Sequence, residues 1–165
     1  MKRQKTLLLM RHAKAERDET RWEDFDRPLS ERGLADSLRM GQWLRQQQLV
    51  PDWICASSSV RTRMTAERVA EASGFEGTIV TKQELYHAPP RRYLTEMRQV
   101  SVAIARLLVI GHNPGLEELI YEVSSHAVTL PTAAIVHLQI PVVDWDEIED
   151  QEWSLVETVT PKSLR

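Results

Sequence analysis

The sequence predicts an α/β fold, a layered sandwich built on a mostly parallel sheet with antiparallel strands at one edge. Three observations carry this. Short, wholly apolar runs at residues 6–10 and 107–110 have the character of strands buried on both faces. Such runs alternate with segments of helical spacing, the pattern of strand–helix–strand units. The last stretch, from Ala134 onward, has strand-like segments with no helix between them, which suits antiparallel pairing.

Residues 6–10 (TLLLM) form the first strand. Residues 13–28 are polar and charged, with Trp22, Phe25 and Pro28 among them, and make a long connection with room to act as a lid. Ser30 offers an N-cap, after which Leu34, Leu38, Trp43 and Leu44 fall near helical spacing until Pro51. Residues 53–56 (WICA) are the second strand, and the serines at 57–59 form a turn. Val60, Met64, Val69 and Ala70 share one side of a second helix that ends near Gly74. Residues 78–81 are a third short strand. Residues 84–90 are loop, because Pro89 and Pro90 stop regular structure while suiting a helix start. Tyr93, Leu94, Met97, Val100 and Ile104 trace that helix. Residues 107–110 (LLVI) are the next strand and run into Gly111, His112, Asn113 and Pro114; a helix follows over 116–123. Strands at 134–142 and 153–159 complete the sheet, joined by an acidic loop over 144–152.

At 165 residues the chain is sized for one domain, taken as 1–165, and a hydrophobic share of 42% is enough for a core. The formal charge of −3 gives no broad basic surface for nucleic acid or an anionic membrane. The single Cys55 can form no intramolecular disulfide and no thiolate cluster, which points to a reducing compartment. The basic start at 1–5 meets only four apolar residues before Arg11 and His12. A signal peptide needs roughly 7–15 and a membrane span roughly 20. The expectation is a cytoplasmic protein with neither nucleic acid nor membrane as partner. Five of the 21 basic residues are lysine (2, 5, 14, 82 and 162), so 16 are arginine, whose planar fork grips phosphate and carboxylate in a bidentate way.

In an open α/β sheet, ligands bind beyond the carboxyl ends of the strands. The first strand ends in Arg11 and His12, the second in 57–59 with Arg61 one turn into the helix, and the LLVI strand in Gly111 and His112. Two histidines and two arginines therefore converge on one edge. A phosphoryl group spreads its charge over oxygens that forked guanidiniums can clamp. A neutral imidazole aimed at phosphorus can act as nucleophile, and a second, protonated imidazole can donate to the same oxygens. The cations are side chains, so no metal or cofactor is expected. His126 and His137 have no partner pattern and are assigned structural or exposed roles.

The residues around these strand ends resemble a known family. Leu7-Leu8-Leu9-Met10-Arg11-His12-Ala13 is similar to the Arg-His signature of the histidine phosphatase (phosphoglycerate-mutase-like) superfamily. Ser58-Ser59-Val60-Arg61-Thr62-Arg63-Met64-Thr65-Ala66 resembles its second motif, with Arg61 as phosphate clamp, and Ile110-Gly111-His112-Asn113-Pro114 its third. Asp26-Arg27-Pro28-Leu29-Ser30-Glu31-Arg32-Gly33, Glu84-Leu85-Tyr86 and Thr160-Pro161-Lys162-Ser163-Leu164 resemble the SixA-type phosphohistidine phosphatase branch. The resemblance implies a three-layer α/β/α sandwich and a transiently phosphorylated His12. Arg11, Arg61 and His112 would complete a metal-free pocket.

Many superfamily members place a glutamate after the third strand as general acid for an alcohol leaving group. Here Glu84 and His87 are the candidates, or no dedicated acid exists. An alkoxide leaving group needs an acid, which typically contributes roughly 10²–10⁴-fold, whereas an imidazole leaving group needs little help. The balance leans toward phosphohistidine. The short chain has no room for insertions that enclose a sugar phosphate, so an open site suits a phosphate presented on another protein. Arg91 and Arg92, just past Pro90, are candidates to flank it. The expected function is a phosphatase acting on phosphohistidine in a protein. A phosphatase of a small phosphorylated substrate and a phosphate-binding module without turnover are the alternatives. A metal site of His12, His87 and His112 with Glu84 is disfavoured, since two adjacent arginines would repel a cation.

Overall fold

The computed structural model describes residues 3–165; Met1 and Lys2, at the head of the basic start, lie outside them. Six strands form one sheet: β1 (Lys5–Arg11), β2 (Trp53–Ser57), β3 (Ile79–Lys82), β4 (Arg106–Gly111), β5 (Ile135–Ile140) and β6 (Ser154–Val159). Their order across the sheet is β3-β2-β4-β1-β5-β6. The first four are mutually parallel, while β5 and β6 are antiparallel, so the expected edge is present.

Four helices cover the faces: α1 (Glu31–Gln46), α2 (Val60–Ser73), α3 (Pro90–Arg98) and α4 (Gly115–Ser124). Alternation along β1 decides which face each residue serves. Leu8 and Met10 pack with Met40, Leu44 and Val69 from α1 and α2. Leu7 and Leu9 pack with Tyr93, Met97, Leu119 and Ile120 from α3 and α4. The three layers are thus helices, sheet, helices. Ser30 caps α1 by accepting from the Gly33 N–H at 3.1 Å, and Gly74 ends α2 at φ +86°.

Three segments depart from expectation. The helix traced to Ile104 stops at Arg98. Lys5 draws the carbonyls of Val102 and Ile104 onto its ammonium at 2.6 and 2.9 Å, and the Ser101 hydroxyl takes the Ala103 N–H. The Ala103 N–H is then lost to a helical ladder and the Lys5 ammonium holds the chain here in a non-helical path, yet Val100 and Ile104 still pack on the core. The acidic segment 144–152 holds a 3-10 helix, Trp145–Asp150. Trp145 and Ile148 are fully buried there, with the Trp145 indole donating to the Ile104 carbonyl at 2.8 Å. Asp146, Glu147 and Asp150 face water while two large apolar side chains cap the α3 side of the sheet. The third strand is displaced one residue, to Ile79–Lys82, and Gln83–Leu85 forms a 3-10 turn within the expected loop.

Candidate active site

Strand register places the histidines. Arg11 is the partner of Gly111 in the parallel β1–β4 pair, so the residues that follow, His12 and His112, leave the sheet side by side. Their ring centroids are 5.2 Å apart. β2 lies on the other flank of β4 and delivers Ser57 and then Arg61 in the first turn of α2. A cavity of roughly 660 Å³ opens here, with Arg11, His12, Arg61, His87, His112 and Asn113 in its wall.

The tautomer of His12 follows from its partners. Nδ1 lies 2.8 Å from the Ala13 carbonyl, which can only accept, so Nδ1 carries the proton. Nε2 therefore presents its lone pair, and the Arg61 Nε–H donates to it at 3.3 Å. Burial pushes the His12 pKa down to about 3, with Arg61 and Arg11 adding to the effect, so the ring is neutral. Thr65 fixes the backbone beneath it: its hydroxyl accepts the Ala13 N–H at 3.0 Å and donates to the Arg61 carbonyl at 2.8 Å. That is the physical role of a threonine four residues after Arg61.

His112 is held as tightly. Its Nε2 lies 2.8 Å from the Ser57 hydroxyl and 3.4 Å from that of Thr62, and its Nδ1 accepts from Arg61 at 3.5 Å. Its backbone N–H donates to the buried Tyr93 hydroxyl at 3.0 Å. Burial, His12 and Arg61 push its pKa down to about 2. The sequence reading expects a protonated second imidazole. In the ligand-free pocket it is neutral, because it faces cations and no anion reaches it closely enough to offset its burial.

Arg61 is almost completely buried, and its fork is already engaged. Nη1 donates to the Asp24 carbonyl at 2.7 Å and Nη2 to the Asp24 carboxylate at 3.2 Å. Tyr86 donates to the same carboxylate, and His87 Nε2 lies 3.3 Å from it. Partial burial pushes the Asp24 pKa up, but the Tyr86 hydrogen bond and the Arg61 charge outweigh it and hold the group well below the usual carboxylate range. Asp24 escapes the sequence reading, which names Tyr86 within the Glu84-Leu85-Tyr86 match but gives it no role. A polar connection gives no periodic signal, and only the fold returns Asp24 to Arg61. The connection forms one wall of the cavity through Trp22, Glu23 and Asp24.

The remaining predicted residues separate. Arg11 lines the cavity, donates to the Leu130 carbonyl at 3.2 Å, and leaves its buried Nε without a partner. His87 lies on the wall, its ring 5.8 Å from that of His112. Glu84 is exposed on the 3-10 turn and does not line the cavity. Arg91 is paired with Glu149 at 2.7 Å, and neither it nor Arg92 reaches the cavity, because both sit on the outward side of the first turn of α3. His126 is exposed and His137 is buried in β5. Among the described residues, no group of three or more His, Cys, Asp or Glu is placed to hold a metal ion, so His12, His87, His112 and Glu84 do not gather as a metal site would require.

Known proteins resemble this chain in part of its sequence and in its fold. The profile of the histidine phosphatase superfamily (branch 1) matches residues 7–86. A protein assigned as the phosphohistidine phosphatase SixA from Nakamurella multipartitia superposes with a TM-score of 0.85 at 25% identity, covering 96% of each chain. The protein histidine phosphatase SixA in complex with tungstate gives 0.84 at 22% identity, covering 97% of this chain and 99% of its own. An uncharacterised chloroplast protein of Arabidopsis thaliana is 29% identical over 86% of this chain and 69% of its own length. An uncharacterised protein of Mycobacterium tuberculosis is 28% identical over 85% and 92%. The superfamily profile covers just under half of the chain, the part that holds Arg11, His12 and Arg61, and the fold match extends over nearly all of the chain. The protein is a phosphatase, and its fold is that of the SixA-type structures.

Proposed function

We propose that the protein removes the phosphoryl group from phosphohistidine carried on another protein, through a phosphorylated His12. The observation that carries this is the state of the two groups facing the cavity. His12 offers a neutral Nε2 lone pair, and the one carboxyl group beside it on Arg61, that of Asp24, is held ionised. Nε2 forms a bond to phosphorus while the bond from phosphorus to the substrate imidazole breaks, and the electron pair leaves with that imidazole. Water then attacks phosphorus, inorganic phosphate departs, and Nε2 recovers its lone pair. Arg11, Arg61 and His112 take the charge on the phosphoryl oxygens.

An ionised Asp24 cannot protonate a leaving alkoxide, and Glu84 lies outside the cavity. An imidazole leaving group needs neither. The SixA-type neighbours, two of which are described as phosphohistidine or protein histidine phosphatases, support the same substrate class. One feature favours a small phosphoester instead: His87 is on the cavity wall, where a protonated ring would serve as acid. Parallel assays on a phosphohistidine protein and on a panel of phosphoesters separate the two. A preference for one ester by orders of magnitude overturns the protein-substrate reading. Trapping the phosphoenzyme from a labelled phosphohistidine donor should place the label on His12, and label on any other residue overturns the mechanism.

A further inference from the structure

A second recess adjoins the catalytic cavity. It is lined by Arg11, Lys14, Arg17, Arg32, Pro131 and Thr132, four of which, Arg11, Lys14, Arg17 and Thr132, also line the cavity. The two spaces therefore share a wall that includes Arg11. Every ionisable side chain in the recess is a cation. Among the described residues neither Lys14 nor Arg17 has a carboxylate within ion-pair distance, and Arg32 has only the longer 3.6 Å contact to Asp36, which Arg165 also takes at 3.2 Å. The acidic residues of the cavity, Glu19, Glu23 and Asp24, do not line the recess.

The shelf is also built rigidly. The Lys14 carbonyl accepts from both the backbone and the hydroxyl of Ser30, at 2.9 and 3.1 Å. Ala15 pairs with Leu29, and the Glu16 N–H donates to the Pro28 carbonyl at 2.9 Å. The first turn of α1 presses so close that a Cβ on Gly33 would come within 2.1 Å of the Lys14 oxygen. Lys14 and Arg17, without a carboxylate partner at the end of a pinned backbone and beside an arginine whose Nε has no partner, are what an anion site requires.

We propose that Lys14, Arg17 and Arg32, beside Arg11, form a second anion subsite. It receives a carboxylate or phosphate of the substrate while the phosphoryl group sits among His12, Arg61 and His112. This rests on the phosphatase reading for the placement of the phosphoryl group. The substrate class is then a phosphorylated group with a second anion nearby, either an acidic residue flanking phosphohistidine or the carboxylate of a small phosphoester.

Calorimetry tests it without turnover. Phosphoglycolate and 3-phosphoglycerate, which carry both anions, are compared with methyl phosphate, which carries one. At least one of the probes with both anionic groups should bind the wild type tenfold or more tightly than methyl phosphate, and Lys14→Ala/Arg17→Ala should lose that preference. No preference in the wild type, or a preference that survives the double substitution, overturns the subsite. Two phosphohistidine peptides, flanked by Glu or by Gln, distinguish the sources. Faster hydrolysis of the Glu peptide, abolished by the double substitution, assigns the second anion to a protein. Equal rates with the calorimetric preference intact assign it to a small molecule. Failure to hydrolyse either peptide while the preference persists overturns the phosphohistidine reading and leaves the subsite standing.

Discussion

His12 and His112 are neutral for the same cause, burial beside arginine, but their chemistry differs through their partners. Ala13 takes the Nδ1 proton of His12 and leaves a nucleophilic Nε2, so His12→Ala should abolish release of phosphate while inorganic phosphate still binds. Binding with turnover intact would remove the mechanism. His112 faces Arg61 with Nδ1 and should take up a proton when a dianion arrives, since the anion favours the charged ring. Tungstate binding near pH 7, measured by calorimetry in buffers of different ionisation enthalpy, should show proton uptake that His112→Asn removes. Asp24 stands where a phosphoryl oxygen would meet the Arg61 fork. Its substitution by Asn removes a competing anion and should tighten inorganic phosphate binding by about tenfold. Weaker binding would mean that Asp24 serves only to position Arg61. Arg11, His12, Arg61 and His112 were all legible in the sequence, because each follows a strand end or opens a helix. Asp24 was not, because its partner Arg61 is 37 residues away.

Among the elements, α1 shows how a motif without chemistry still serves the site. Ser30 both caps the helix and holds the Lys14 carbonyl, and Gly33 permits the close approach between them. Ser30→Ala should cost about 1 kcal/mol of stability in urea unfolding, the usual value of an N-cap. Gly33→Ala should cost more, about 1–3 kcal/mol, because the neighbour in its way is backbone. An effect of Gly33→Ala below that of Ser30→Ala would show that the helix tilts away freely. The segment 160–164, also matched to the SixA-type pattern, lies outside the cavity; Leu164 packs against the α1–α2 side and its carbonyl accepts from Arg39 at 3.3 Å. Strands and helix starts were readable from apolar runs, caps and prolines. The early end of α3 was not, since Val100 and Ile104 keep helical spacing while Lys5, far off in sequence, binds the carbonyls of Val102 and Ile104.

For the whole molecule, burying two neutral histidines links stability to pH. Both pKa values fall below the unfolded value near 6.5, so the unfolded chain binds more protons as the medium becomes acidic. The contribution is complete above about pH 6.5 and is lost as pH falls toward about 3 for His12 and about 2 for His112. Urea midpoints should therefore drop between pH 7 and pH 4, and a His12→Asn/His112→Asn variant should give a flatter profile. An equal slope in the variant would assign the acid sensitivity to other groups. The net charge of −3 is no guide to this cavity, where arginines are gathered locally at the strand ends.

The sequence by itself determined the layered α/β class, the strand ends that carry Arg11, His12 and His112 and the helix start that carries Arg61, because apolar periodicity and position at an element's end are local properties. Tertiary structure alone decided which charges meet. It put Asp24 on Arg61, turned Arg91 to Glu149, left Glu84 in solvent and set Lys14, Arg17 and Arg32 beside the cavity. Pairing between side chains far apart in the chain depends on sheet register and helix packing, which no local pattern records.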